Sequence, residues 1–343
     1  MSEITGKPAG TPHALLDRRA FVGAALSAPL ALPASEALAQ AASTDWPARA
    51  VTIVEGYPPG GLTDVTSRIV AEHMARTLNA SVVVENRPGA ATSVAATGVA
   101  RAQPDGYTLL MGTTTLAINR TLQPNLTPRE PDKELAPIGM VFRTAFILHV
   151  HPSLPVKTVG ELVAHCKANP GKIAFGSPGT GSVSHLCLEI FKAQAGIDIL
   201  HVPYRGGGGA ALDLQAGRIH AVFQGVQEAM AFIQAGNTRG LGVSVKSGVP
   251  LFPDLPPIAN TVPGFGEVTF WQGLFAPAAT PPAIIAKVGD ALSKATEDPA
   301  LRARLAAQGI DVLTGDAAAL RAMLASETQR WGDVIRTANI KLE

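Results

Sequence analysis

The chain has 343 residues, of which 46% are hydrophobic and 16% are charged, so it can bury a large core and suits two domains. Its formal net charge is +1 and it has no basic run, which argues against nucleic acid as the main partner. The two cysteines, Cys166 and Cys187, fit neither a metal spacing nor a disulfide framework, so each is expected to be a small buried apolar side chain.

The N-terminal segment predicts an export signal rather than a part of the fold. Arg18 and Arg19 precede an apolar stretch at 20–32, which is too short and too often interrupted to span a bilayer. The sequence Ala-Leu-Ala that ends at Ala39 has the pattern of a cleavage site, so residues 1–39 are interpreted as a signal peptide. The arginine pair favours a twin-arginine signal, and an ordinary Sec signal is the alternative. The mature protein is therefore expected to be exported.

The first part of the mature chain alternates short apolar runs with helical patterns. A β-branched apolar run suits a buried parallel strand, and the apolar spacing from Leu62 to Leu78 marks one face of a helix. This alternation predicts a parallel sheet with helices on both faces. The predicted strands are 49–56, 80–89 and 106–115, of which the last runs into a polar loop.

The same pattern starts again after an apolar strand at 145–155. A helix closed by Asn-Pro-Gly follows, and then two strand–turn–helix units and one more strand. A strand at 270–282 leads away from this unit, and the rest of the chain is predicted to be helical. The two units are 172–196 and 198–217, the extra strand is 218–225, and the late helices are 283–297, 299–308 and a long helix after Asp316.

The C-terminal helices have no sheet of their own, so they are expected to complete the first domain. The chain then crosses twice between two lobes, with a ligand cleft between them. The predicted first lobe is 45–151 plus 267–343, and the second lobe is 152–266. The predicted fold class is therefore α/β, with a mixed, mostly parallel sheet flanked by helices in each lobe.

Three glycine-rich turns between a strand and a helix supply the candidate site. Each turn can present backbone N–H groups at a helix N-terminus, where the helix dipole favours an anion. Because ligands of open α/β sheets bind at the carboxyl ends of strands, turns from the two lobes would face each other across the cleft. The turns are YPPGGLTD (57–64), GSPGTGSVSH (176–185) and YRGGGGA (204–210).

Catalytic patterns are weak in this sequence. No Gly-x-Ser-x-Gly elbow occurs, since Phe175 stands where Ser177 would need its first glycine. None of the turns has the spacing of a nucleotide-binding P-loop, and the histidines show no metal-ligand spacing. An exported hydrolase-like enzyme that uses His185 as its base is kept as the alternative to a binding protein.

A series of motifs runs in order along nearly all of the mature chain: YPPGGLTD, VVVENRPGAA, ARAQPDGYTLLMG, KANPGKIAFGSPGTGSVSHL, HVPYRGGGGAALDLQAG, WQGLFAPAATPPAI and RWGDVIRTANIKLE. Together they resemble the Bug family, the extracytoplasmic solute receptors of tripartite tricarboxylate transporters (TctC-like proteins). The resemblance implies a two-lobed, type II periplasmic-binding-protein fold that closes on a small carboxylate. It also implies a monomer in the periplasm that delivers its ligand to integral-membrane permease subunits, without a cofactor or a metal. A ligand sensor that serves no permease is a second alternative.

The resemblance also implies which positions contact the ligand. Tyr57 stands at an aromatic position of the first turn, and Gly60, Gly61 and Asp64 match its Gly-Gly-x-x-Asp pattern. Asp64 has an alternative role as an acid that only stabilises the first turn of its helix. The other candidates, from these turns and from their hydroxyl groups, are Pro59, Thr63, Ser177, Gly179, Thr180, Gly181, Ser182, His185, Tyr204, Arg205 and Gly206.

Departures from the family pattern concern the ligand. They are Gly56 in place of a frequent proline, a threonine run from Thr113 to Thr115 at a ligand-facing loop, and Gln224 where an acid is common. Amide-rich turns on both lobes suit a ligand with a carboxylate at each end, and Arg205 can add a charge-assisted hydrogen bond. Because Gln224 is neutral, a ligand with a free ammonium group is disfavoured. The sequence therefore predicts a small dicarboxylate.

Overall fold

The computed structural model describes residues 46–337 and 339–341, and the predicted signal peptide at 1–39 lies outside the described residues. The strands are β1 (Val51–Glu55), β2 (Val82–Asn86), β3 (Thr108–Thr113), β4 (Leu135–Val150), β5 (Ala174–Ser177), β6 (Leu200–Pro203), β7 (Ala221–Gly225), β8 (Arg239–Val243), β9 (Thr269–Pro277) and β10 (Asp311–Val312). The helices are α1 (Leu62–Leu78), α2 (Ser93–Ala100), α3 (Thr115–Leu122), α4 (Pro131–Glu134), α5 (Val159–Ala168), α6 (Val183–Ala195), α7 (Gly207–Gln215), α8 (Val226–Gln234), α9 (Pro282–Glu297), α10 (Pro299–Ala306) and α11 (Ala317–Thr337).

The strands form one mixed sheet, so the predicted α/β fold is confirmed. The strand order is β2-β1-β3-β9-β4-β7-β5-β6, and β8 and β10 also pair with β4. Parallel pairs join β1 to β2 and β3, and β5 to β6 and β7. Every antiparallel pair involves β4 or β9. The sheet is therefore less parallel than predicted, because these two long strands run against their neighbours.

Strand β4 is shared by both ends of the sheet. Its residues from Leu135 to Ala145 pair with β9, and its residues from Phe146 to Val150 pair with β7 and β8. We call β1, β2, β3, β9, β10 and 135–145 the first sheet half, and β5 to β8 with 146–150 the second sheet half. The sequence prediction placed the strand at 145–155 and missed its first ten residues. Register shifts beside Pro137 and Met140 interrupt the regular pattern there.

Ser244 ties together the two segments at which the chain passes between the sheet halves. Its hydroxyl accepts a hydrogen bond from the Phe146 N–H at 2.8 Å and donates one to the Val268 carbonyl at 2.5 Å. Its backbone N–H donates to the Phe146 carbonyl, and its own carbonyl accepts from the Val268 N–H, both at 2.9 Å. The side chain is only 1% exposed. The start of the second sheet half is thus fixed to the segment that leads back into β9.

Two further helices differ from the sequence prediction. Helix α3 begins at Thr115, directly after β3, where a polar loop was predicted, and it packs on α11 through a buried apolar face. Helix α8 begins at Val226, directly after β7, where the sequence analysis predicted no helix. Among the described helices, none has the length and apolar character that a membrane span requires.

Both cysteines are buried and free, as predicted, and burial raises the pKa of the Cys166 thiol to about 11.

We expect the substitution Ser244→Ala to lower the free energy of unfolding by about 1–3 kcal/mol, because it leaves the Phe146 N–H and the Val268 carbonyl buried without this partner. Urea titration measures the change. The matched control is Ser247→Ala, which removes an exposed hydroxyl three residues later and should change the free energy by less than about 0.5 kcal/mol. Equal losses in the two variants would contradict the bridging role of Ser244.

Candidate functional site

A cavity of about 590 Å³ lies between the two sheet halves, which is the size of a pocket for a small molecule. The first sheet half contributes the turn between β1 and α1 and the ring of Phe270. The second sheet half contributes Phe146 of β4, the end of β7 and the first turns of α6, α7 and α8. The cavity therefore lies at the carboxyl ends of parallel strands, as the sequence predicts for the ligand site.

Three helices begin at the cavity on glycine residues. The N-cap residues are Gly61 for α1, Gly206 for α7 and Gly225 for α8, and none of them offers a side-chain cap to its helix. All three glycines line the cavity. The first N–H groups of a helix lack partners within that helix, and its dipole is positive at this end. The cavity thus collects three helix ends that attract negative charge.

Arg205 adds a full positive charge to the same cavity. Its side chain is exposed, lines the cavity and makes no ion pair or hydrogen bond with the described residues. The turn that carries it meets the first sheet half at Gly206, whose φ of +100° favours glycine. A Cβ atom at Gly206 would lie 3.3 Å from the Cγ atom of Pro58. Glycine therefore lets the turns of the two sheet halves approach each other beside Arg205.

Tyr57 lines the cavity, and a hydrogen bond and a ring contact fix the position of its side chain. Its hydroxyl shares a hydrogen bond of 3.1 Å with Thr115, and the hydroxyl of Thr113 donates to that of Thr115 at 3.1 Å. The Tyr57 ring contacts Phe270 edge-on, with 6.4 Å between ring centroids. Both threonines are buried and lie outside the cavity lining. The structure thus places Thr113 and Thr115 as supports of Tyr57 rather than as groups that face the cavity.

Asp64 also lies outside the cavity lining. Its carboxylate accepts hydrogen bonds from the Gly60 N–H and from Asn86, both at 3.0 Å, and forms an ion pair with Arg68 at 2.8 Å. Burial opposes ionisation, but these three partners together hold the pKa of Asp64 below its ordinary value. The structure favours the alternative role of Asp64, in which it stabilises the glycine turn and the start of α1.

The turn between β5 and α6 contributes Pro178 and Ser182 to the cavity lining, while its other residues lie outside the lining. Ser177 shares a hydrogen bond of 2.7 Å with His201, and the Gly181 N–H donates to Nδ1 of His185 at 3.3 Å. The two imidazole rings stack with their centroids 4.2 Å apart. Burial, with a contribution from His201, lowers the pKa of His185 to about 3. His185 is therefore a neutral, buried side chain outside the cavity lining.

The predicted site residues divide into two groups. Those that line the cavity are Tyr57, Pro59, Gly60, Gly61, Thr63, Ser182, Arg205, Gly206 and Gln224. Those outside the lining are Asp64, Thr113, Thr115, Ser177, Gly179, Thr180, Gly181, His185 and Tyr204. Tyr204 points away, since its hydroxyl donates to Asp213 at 2.8 Å. Ligand binding by the lining residues stays a prediction.

The sequence prediction missed Glu228, which lines the cavity from the first turn of α8. Its Oε1 atom accepts the Leu62 N–H at 3.4 Å. Burial raises the pKa of Glu228, and the Leu62 N–H and Gln224 oppose the rise. Because Glu228 supplies an acid to the same cavity, the neutral Gln224 alone gives no reason to disfavour a ligand with an ammonium group, and the expected ligand charge stays a prediction. The position of Glu228, one turn after a strand end, was the signal that could have identified it.

Comparison with known proteins identifies the family. Residues 66–340 match the sequence model of the tripartite tricarboxylate transporter family receptor. The protein BugT of Bordetella pertussis is 33% identical over 315 residues, which cover 90% of this chain and 96% of BugT.

Three solved structures share the fold. The periplasmic binding protein BugD is 31% identical, with a TM-score of 0.82, and the match covers 87% of this chain and all of BugD. Rpa4515 of R. palustris, solved with adipate, is 30% identical, with a TM-score of 0.83 and coverage of 87% and 99%. MatC of Rhodopseudomonas palustris, solved with bound malate, is 31% identical, with a TM-score of 0.80 and coverage of 84% and 100%. The matching family model describes a receptor and BugD is a periplasmic binding protein, so this chain is a solute-binding receptor and the enzyme alternative built on His185 is set aside. The chain belongs to the tripartite tricarboxylate transporter receptor family, as its motifs predict.

Proposed function

We propose that this protein is a periplasmic receptor that captures a small carboxylate in the cavity and delivers it to the permease subunits of a tripartite transporter. One observation carries the proposal: α1, α7 and α8 all begin at the cavity on glycines without side-chain caps. Such helix ends bind carboxylates through N–H groups and through the positive end of the helix dipole. Arg205, which has no ion pair or hydrogen bond among the described residues, supports the same choice of ligand charge.

The ligand that we propose is a dicarboxylate with an apolar middle. The rings of Phe146 and Phe270 line the cavity and suit a short hydrocarbon chain. Adipate and malate, which occupy two of the related structures, are both dicarboxylates. A cavity of about 590 Å³ has room for a molecule of this size.

We further propose that the cavity closes by movement of two lobes, 45–151 plus 267–343 and 152–266. The pairing of β4 supports two lobes, with the first crossing between Ala145 and Phe146 instead of after residue 151. Hinge motions of this kind use a few residues at the ends of elements. A monomer suffices for such a site, since both walls of the cavity come from one chain.

A panel of small dicarboxylates tests the proposed ligand class. The matching ligand, at about a hundred times its dissociation constant, should raise the free energy of unfolding by about 2.7 kcal/mol, and the melting midpoint reports it. The substitution Gly61→Val should abolish this shift, because the side chain fills space beside the helix end. The fold should tolerate it, since a Cβ atom there has no neighbour closer than 3.8 Å. A shift with neutral sugars and none with carboxylates would contradict the proposal.

Gly160→Val is the matched control for that experiment. Gly160 is exposed in the first turn of α5, away from the cavity, and a Cβ atom there would lie 3.7 Å from its nearest neighbour. This variant should show the same ligand-induced shift as the wild type. A lost shift in both variants would mean that the effect of Gly61→Val does not come from the cavity.

The export signal is tested separately. Replacing Arg18 and Arg19 together by lysine should leave the precursor in the cytoplasm, because a twin-arginine signal needs both arginines. Fractionation followed by mass spectrometry of the N-terminus shows where the protein is and whether it begins near residue 40. The control replaces the exposed Arg101 and Arg129 of the mature chain by lysine and should be exported. Normal export of the Arg18 and Arg19 variant would favour the Sec signal.

A further inference from the structure

The carboxylate of Glu228 lies at the helix ends where an anionic ligand is expected to bind. Its Oε1 atom accepts the Leu62 N–H, the first N–H group of α1, at 3.4 Å. Cβ atoms built on Gly61 and Gly207 would lie 3.8 Å from Oε1 and 2.8 Å from Oε2, respectively. The two carboxylate oxygens therefore face the first residues of α1 and α7. A ligand carboxylate that approached the same helix ends would meet a carboxylate of the protein.

The charges around the cavity make it unfavourable for a ligand with two negative charges to bind next to Glu228. The side chains that carry a formal charge in the described lining are Arg205 and Glu228, which cancel. Each helix end contributes only about half a positive charge. Two carboxylates that share a partly buried site repel each other, and the usual result is that one of them holds a proton.

We propose that Glu228 is a specificity-determining residue that accepts a hydrogen bond from the ligand, so that the ligand end facing it must carry a proton. A hydroxyl or an ammonium group meets this requirement directly. A dicarboxylate meets it when one proton from the solvent is shared between an oxygen of Glu228 and an oxygen of the nearer ligand carboxylate. This inference rests on the proposed function, because it requires a carboxylate ligand in the same cavity.

A chain of buried hydrogen bonds occupies the amide oxygen of Gln224. The hydroxyl of Thr238 lies 3.0 Å from Nδ1 of His149, and Nε2 of His149 lies 3.1 Å from Oε1 of Gln224. The amide oxygen of Gln224 is thus engaged by His149, and its NH₂ group donates to the Gly207 carbonyl at 3.4 Å. Burial lowers the pKa of His149 to about 4, so the ring is neutral and suits these bonds. The Gln224 oxygen is therefore already engaged by His149, whereas the carboxylate of Glu228 lines the cavity as a hydrogen-bond acceptor.

The other titratable groups near Glu228 do not replace it in this role. Tyr57 and Arg205 face it from the turns before α1 and α7, and burial raises the pKa of Tyr57 above its ordinary value. Asp64, in the first turn of α1, is paired with Arg68 outside the cavity lining. His149 reaches Glu228 only through Gln224, and α7 and α8 bring no other titratable side chain into the described lining. Burial raises the pKa of Glu228, while the Leu62 N–H and Gln224 oppose the rise.

Calorimetry with adipate as the probe tests the inference. Free adipate has both carboxyl groups ionised between about pH 7 and about pH 8.5. A proton taken up from the solvent in this range is therefore bound only when the complex with the protein forms. The wild type should take up about one proton per adipate, and its affinity should fall by up to about tenfold per pH unit. Two buffers with different ionisation enthalpies give the proton number at each pH.

The substitution Glu228→Gln replaces the acceptor by a neutral side chain of similar shape. This variant should bind adipate with the same affinity across the pH range, without proton uptake, and more tightly than the wild type at the higher pH. The matched control is Glu72→Gln, which removes an exposed carboxylate from α1 and should keep the pH dependence of the wild type. Melting midpoints of both variants without ligand report that they are folded.

A second probe, 6-hydroxyhexanoate, has the length of adipate but a hydroxyl in place of one carboxylate. At the higher pH the wild type should prefer it over adipate, and Glu228→Gln should reverse this preference. Adipate binding that is independent of pH and unchanged in Glu228→Gln would overturn the inference and leave the proposed function standing. Failure of both probes to bind either protein would overturn the proposed function, and the inference with it.

Discussion

The architecture depends on the hydrogen bonds that Ser244 makes to the two segments crossing between the sheet halves. Because Phe146 and Val268 are tied to the same residue, the strands that continue from them have a fixed spacing at the crossing. Phe146, which is hydrogen-bonded to Ser244, and Phe270, two residues after Val268, both line the cavity. The backbone geometry at the crossing therefore fixes where Phe146 and Phe270 line the site. The glycine-rich turns around the cavity belong to the two sheet halves separately.

The turns around the cavity are suited to binding because their glycines carry no side chain that could cap the helices. Glycine at the start of α1, α7 and α8 leaves the first N–H groups of these helices without a side-chain cap, so their partner must come from outside the helix. Helix α6 shows the contrast, since the hydroxyl of Ser182 caps it by accepting the His185 N–H at 3.2 Å. The open helix ends would be a loss of stability in an ordinary core. At a binding cavity they let a ligand, or Glu228 in its place, complete the hydrogen bonding.

The sequence revealed the fold and the turns of the site better than it revealed the direction of individual side chains. Glycine turns after strands have a local signature, so Gly60, Gly61 and Gly206 were placed at the cavity from sequence alone. Asp64 and His185 stand beside such turns but point inward, because partners distant in sequence, Asn86 and His201, engage them or pack against them. Glu228 was missed for the same reason: its role depends on contact with Leu62, 166 positions earlier.

The two buried thiols bear on where this chain can fold. A thiol reacts with oxidants and disulfides as its thiolate, and burial raises the pKa of Cys166 to about 11, so little thiolate forms at neutral pH. Cys187 is also buried and free, on a different helix. The native structure therefore contains no bond whose formation requires an oxidising compartment. Folding of the described residues therefore does not wait for disulfide formation, whichever of the two proposed export signals the chain carries.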